Sequence, residues 1–193
     1  MKNYSLRVLL SAALSIGAFV SLPAQTIETK EADPVDSSLQ ALMAGLKLRE
    51  EVTAGVMAGT EKVESAIARL KAHASPSGLK VDHDADFSYA AIEVGLRLIA
   101  KGYYAEAEKL FQAAETALGV VLAKTPDTAP RDKAMYLQNL SSIRGRYLNN
   151  PVQAKADIEA AMVLQPDDKS FQSARDQLVA EHTLTFADNL TKN

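Results

Sequence analysis

Few residues in this chain are arranged to do chemistry. The densest charged cluster is Asp82-His83-Asp84-Ala85-Asp86. Its alternate carboxylates, with Glu93 eleven residues beyond Asp82, imitate part of an EF-hand loop that wraps a calcium ion in oxygens. Phe87, however, stands where that loop needs Gly for its sharp turn, and the apolar spacing from Phe87 onward is helical. Asp84 or Asp86 is therefore read as the cap of a helix and as a complement to its dipole. The alternative is a metal-binding or enzymatic protein using Asp82–Asp86. His73, His83 and His182 lie far apart, and none sits in a His-Glu-x-x-His or other paired ligand spacing. There is no Gly-x-Ser-x-Gly elbow, phosphate loop or dinucleotide fingerprint. No Cys is present, which removes thiol nucleophiles, thiolate metal sites and disulfides. The expectation is a chain without catalytic residues, metal or cofactor.

The elements around that cluster come from an ordinary globular composition. Of the 193 residues, 47% are hydrophobic and 23% charged, with a formal net charge of −3. That balance carries no electrostatic footprint for nucleic acid. Lys2 and Arg7 precede an apolar run from Val8 to Val20, and Ser21-Leu22-Pro23-Ala24 follows. This is the layout of a secretory signal peptide over residues 1–24, with cleavage expected after Ala24. The run is shorter than the roughly 20 apolar residues of a spanning helix, so no stable membrane anchor is expected after cleavage. Removing Lys2 and Arg7 leaves 19 basic against 24 acidic side chains, a net charge of −5. The expected address is the bacterial periplasm or beyond, where a chain without disulfides must hold itself together by packing.

Residues 25–37 read as a polar, flexible lead-in. From Ser38 the apolar residues Leu39, Leu42, Met43 and Leu46 fall at helical spacing, and Val52, Val56, Val63, Ile67 and Leu70 continue it to about Ala74. Gly55 and Gly59 mark a bend or break between the two series, and Ser75-Pro76-Ser77-Gly78 a loop. Helices are expected over about 87–101, 103–123, 133–148 and 151–164, separated at Gly102, at 125–132 and at Asn149-Asn150. A last helix, capped by Asp167 or Asp168, runs to about Thr183, and a frayed tail follows over 185–193. No stretch alternates with period two. The fold class is all-α.

Two of these hairpins resemble tetratricopeptide repeats. Ala91-x-x-Val94-Gly95-x-x-Leu98, then Gly102-x-Tyr104-x-x-Ala107-x-x-x-Phe111-x-x-Ala114, follows the family pattern across residues 87–123. A weaker copy spans residues 133–166, with Ser141-Ser142 in the Leu-Gly place, Ala154, Ile158 and Ala161 in the second helix, and Pro166 closing it. Ala91 replaces the family's Trp, Leu98 its Tyr, and Gly119 stands where the first closing Pro belongs. Residues 38–74, with Ala66 and Leu70, form a looser third candidate or else cover the groove. The resemblance implies a short α-solenoid over residues 38–184, with residues 38–74 and 168–184 as terminal caps. Gly95 is expected to face Ala107, so that the two backbones approach.

The resemblance also implies a concave face lined by the first helix of each hairpin. Its first copy gives Tyr89, Ile92, Leu96 and Ile99. Its second gives Tyr136, Asn139, Ile143, Arg146 and Tyr147, aromatics mixed with Arg as in protein-contact hot spots. Arg144 and Arg146 form a small basic spot read as a solvated helix face. The expected function is an exported, non-catalytic module that binds a protein or peptide partner in the cell envelope, and not nucleic acid. A structural subunit of a larger assembly is the third reading.

Overall fold

In a computed structural model the chain is described over residues 34–73 and 83–181. The expected signal peptide, most of the lead-in, the loop at 75–78, Asp82, His182 and the tail at 185–193 lie outside the described residues. Seven α-helices follow one another, with no strand among the described residues. They are α1 (Pro34–Met57), α2 (Val63–His73), α3 (His83–Ala100), α4 (Tyr104–Lys124), α5 (Pro130–Arg146), α6 (Pro151–Leu164) and α7 (Lys169–Ala180).

Their order in the chain is also their order in space. Each helix touches its neighbour or its next neighbour: α1 meets α2 and α3, α2 meets α3 and α4, α4 meets α5, and α7 meets α5 and α6. The tightest pairs are the hairpins α3–α4 and α5–α6. This is an all-α fold compatible with a helical repeat.

Three reversals set the hairpins. α1 turns into α2 at Gly59 (φ 69°), α3 into α4 at Gly102 (φ 88°), and α5 into α6 at Asn149 (φ 51°). A left-handed residue just past a helix end lets the chain reverse, and Gly or Asn adopts it at least cost. The break expected at Gly55 and Gly59 falls at Gly59, and α1 runs through Gly55 to Met57. Gly55 instead makes room for the returning chain. A Cβ there would stand 3.0 Å from Glu61, and its carbonyl accepts the N–H groups of Thr60 and Glu61.

Three other boundaries move for local reasons. α1 starts at Pro34, so residues 34–37 are helical rather than a lead-in. α3 starts at His83, which places Asp84 and Asp86 in its first turn, not at its cap. The 125–132 connection shortens to 125–129, because Pro130 takes the first position of α5, where its missing N–H costs nothing. Pro151 opens α6 in the same way behind Asn150, whose side chain accepts from the Gln153 N–H.

The second helix of each hairpin buries an Ala and, four residues later, a larger side chain. The pairs are Ala66 and Leu70, Ala107 and Phe111, and Ala154 and Ile158, all at most 2% exposed. Ala114 and Ala161, one further turn along, are also fully buried. The main cluster joins Ala66, Leu70, Ala107, Phe111 and Ala114 to Val52, Val94, Leu98, Leu118, Leu140 and Ile143, while Phe171 of α7 closes a smaller one with Ala134 and Ala161, and Leu178 another with Ile158. The group nearest to Gly95 is the ring of Phe111, one turn beyond the expected Ala107: a Cβ on Gly95 would stand 2.9 Å from Cε1 and Cζ. Ala107 is nonetheless at 0% exposure. Ala107→Leu is expected to overpack the α3–α4 seam and to lower the unfolding free energy by about 1–3 kcal/mol. Unchanged thermal unfolding of that variant would contradict this packing.

Candidate partner-binding face

The first helices carry the residues that the repeat pattern nominates, and they divide into two groups. Tyr89 on α3 is 38% exposed, and Asn139 on α5 donates from Nδ2 to its hydroxyl at 3.3 Å. Tyr136 is half-buried one turn before Asn139 and close enough to Tyr89 for their charges to interact. Partial burial, with Tyr136 and Asp132 nearby, holds the Tyr89 phenol above its ordinary pKa. Met135, which the pattern did not nominate, adds an exposed apolar side chain one turn before Asn139. Tyr89, Tyr136, Asn139 and Met135 thus form a small aromatic and amide surface across α3 and α5.

The second group serves the fold. Ile92, Leu96 and Ile99 pack against the main cluster, and Ile143 is a core residue at 2% exposure. Tyr147 stacks on Phe111 with ring centroids 4.3 Å apart and planes 12° from parallel. Burial raises its pKa as well. Arg146 donates from Nε to Glu181 at 2.7 Å and from Nη2 to Gln177 at 3.3 Å, tying the end of α5 to the end of α7.

Arg144 does not lie on a solvated face. Its Nε donates to Glu115 of α4 at 2.6 Å and its Nη1 to Asp157 of α6 at 2.7 Å. Burial works against its charge, but the two carboxylates outweigh it and hold its pKa above the ordinary arginine value. Asp157 is 4% exposed and also accepts from Gln153 Nε2 at 3.1 Å. Nearby, the buried Ser141 hydroxyl donates to the Ala154 carbonyl at 2.7 Å, crossing the α5–α6 seam. Sequence reasoning passed over Asp157, although a signal existed: it adjoins Ile158 and follows Ala154 by three, so it sits on the buried face of α6. A carboxylate there needs a cation from elsewhere.

Within the acidic cluster, Asp84 joins two helices. Asp84 pairs with Lys124 at 3.1 Å, so the start of α3 meets the end of α4, and His83 is exposed. A cavity of about 210 Å³ beside it is lined by Ile67, Lys71, Asp84, Phe87, Ala117 and Val120, with the Lys71 ammonium 6.0 Å from the Phe87 ring centroid. Among the described residues no group of three or more His, Asp or Glu side chains could hold a metal ion, and no helix is long and apolar enough to cross a membrane. Neither a protein-family model, nor a curated protein, nor a solved structure matches this chain.

The last helix starts on Asp168, whose Oδ1 accepts the Ser170 N–H at 2.9 Å. Hydrogen bonds from Ser170 hold this carboxyl below its ordinary value of 3.8. A folded-state pKa below the unfolded one stabilises the capped form above the unfolded value, and the stabilisation is lost as pH falls through the folded value. The Ser170 amide resonance is expected to titrate with a midpoint below 3.8, with fraying of α7 below it. A midpoint at or above that value would contradict the cap.

Proposed function

We propose that this chain is an exported, non-catalytic helical-repeat module of the tetratricopeptide type that binds a protein or peptide partner in the bacterial cell envelope. On this reading α1–α2, α3–α4 and α5–α6 are three repeats of a short solenoid and α7 is its C-terminal cap. One observation carries it. Each hairpin reverses on a left-handed residue and then buries an Ala followed four residues later by a larger side chain. Such a hairpin cannot bury its apolar face alone, and about three stacked copies are needed for stability. The α1–α2 pair supports the repeat because α1 touches α3, and α2 touches both α3 and α4.

The recognition face in this proposal is Tyr89, Tyr136, Asn139 and Met135. Aromatic side chains give much contact area at low entropic cost, and the amide supplies directional hydrogen bonds. A photo-crosslinking amino acid placed at Tyr89 or Tyr136 in living cells should trap one discrete envelope protein. The same group at Glu108, exposed on α4, should trap none. Asn139→Ala should weaken the adduct formed at Tyr89. Equal labelling at all three positions, or none, would end this assignment. Export is tested separately: the protein recovered from the cell envelope should begin at Gln25.

A further inference from the structure

The α3–α5 face holds a carboxylate that pairs with no cation among the described residues. Asp132, Met135, Tyr136 and Asn139 lie at i, i+3, i+4 and i+7 along one side of α5. Asp132 is exposed, and it stands close enough to Tyr89 for its charge to act on the phenol. Its basic neighbours in the chain are engaged elsewhere. Lys133 pairs with Asp127, and the charge of Arg131 acts on Asp168 at the start of α7. No lysine or arginine is among the charges that act on Tyr89.

The other arginines of α1, α3 and α5 are committed to the fold. Arg49 and Arg97 both donate to Glu93 at 2.6 Å. Arg144 joins Glu115 to Asp157, and Arg146 holds Glu181. What remains on this face is one-sided in charge: two phenol rings, an amide, a methionine and an uncompensated carboxylate. The formal net charge of −3 adds no long-range attraction for an acidic partner. Aromatic rings attract a cation on their faces. A guanidinium sheds water more easily than an ammonium, stacks on such rings, and matches a carboxylate with its planar fork.

We infer that the partner presents an arginine to this face: its guanidinium lies against Tyr89 and Tyr136 and pairs with Asp132, beside Asn139 and Met135. The inference rests on the reading of this face as a recognition surface, and it gives that partner a sign, a basic segment and not an acidic tail. An exposed ion pair contributes little, so a single arginine is held weakly and the rest of the partner's affinity comes from the contacts around it.

Nuclear magnetic resonance titration of the protein recovered from its expressing cells with the capped peptide acetyl-Gly-Arg-Gly-amide tests it. The Asn139 side-chain amide and the Met135 methyl resonances should shift saturably, with a dissociation constant on the order of millimolar. Asp132→Asn should weaken binding about two- to five-fold. Raising the salt from about 50 to about 500 mM should weaken it in the same direction. A peptide with citrulline in the arginine position keeps the shape and loses the charge, and it should bind as weakly as arginine binds to Asp132→Asn. A lysine peptide should fall between the two. No saturable shift overturns the proposal, as does equal binding of the citrulline peptide or of the arginine peptide to Asp132→Asn. Equal binding of the lysine peptide overturns the assignment to arginine. The crosslink at Tyr89 separates this inference from the reading beneath it. An adduct whose yield Asp132→Lys leaves unchanged keeps the partner and overturns its arginine. No adduct in the wild type ends the partner reading, and the peptide titration then decides by itself whether the face takes a cation.

Discussion

Phe111→Ala is expected to lower the unfolding free energy by about 4 kcal/mol. A domain of this size is stable by only about 5–15 kcal/mol, so the variant sits near the edge of folding. Phe111 is 1% exposed and joins three elements. It meets the backbone of α3 at Gly95, packs within α4, and stacks on Tyr147 at the end of α5. The stack adds about 0.5–1.5 kcal/mol beyond the area buried. A double-mutant cycle with Gly95 identifies the contact. Gly95→Ala gains about 1 kcal/mol of helix propensity, but its Cβ would lie 2.9 Å from a ring that Tyr147 backs and that has little room to retreat. Alone, Gly95→Ala should destabilise by about 1–3 kcal/mol. In the Phe111→Ala background the same change should turn stabilising. Denaturant titration of the four proteins reads the cycle, and additive effects would show that Gly95 and Phe111 do not share the seam.

The helices were legible in the sequence because apolar residues recur at 3.6 spacing and Gly, Pro and Asn punctuate them. Gly102, Asn149-Asn150, Pro151 and Asp168 mark boundaries found in the structure within a residue or two. Gly55 misled because propensity speaks for an isolated helix, whereas its missing side chain here accommodates Glu61 across a turn. Gly95 is a residue of close approach, and its nearest neighbour is a larger group than the Ala107 expected from the pattern. Ala107 is fully buried, and only three-dimensional packing shows that the group nearest to Gly95 is the Phe111 ring.

The surface was less legible, for a physical reason. A family pattern maps positions, and whether a position meets solvent depends on what the next element does. Ile143 occupies a position that the pattern turns outward but lies in the core, and the half-buried Arg146 and Tyr147 are engaged by Glu181 and Phe111. Tyr89, Tyr136 and Asn139 keep part of their surface. Long-range ion pairs are invisible to periodicity altogether. Arg49 reaches Glu93 across 44 residues at 2.6 Å, and Glu93 also takes Arg97 one turn along α3. In a chain without disulfides such pairs fix which helices lie side by side, while burial supplies the stability.

Arg144→Met is expected to cost about 3 kcal/mol, although the new side chain is apolar and of similar length. The loss comes from what is left behind. Asp157, 4% exposed, would keep only the Gln153 amide as a polar partner in place of a full charge. Glu115 is more exposed and can rehydrate, so its share of the loss is small. Arg144→Lys should fall between wild type and Arg144→Met. A single ammonium cannot reach Glu115 on α4 and Asp157 on α6 with the two separate arms that guanidinium provides. The decisive measurement is the pair of changes together. Arg144→Met with Asp157→Leu removes both charges and should recover most of the loss, because an apolar replacement of a buried ion pair is often neutral or stabilising. Thermal and denaturant unfolding of the single and double variants should therefore give a coupling of about 2 kcal/mol or more. If the double variant is instead as unstable as the sum of the singles, Asp157 is not the group that Arg144 sustains, and the α4–α5–α6 junction rests on packing alone.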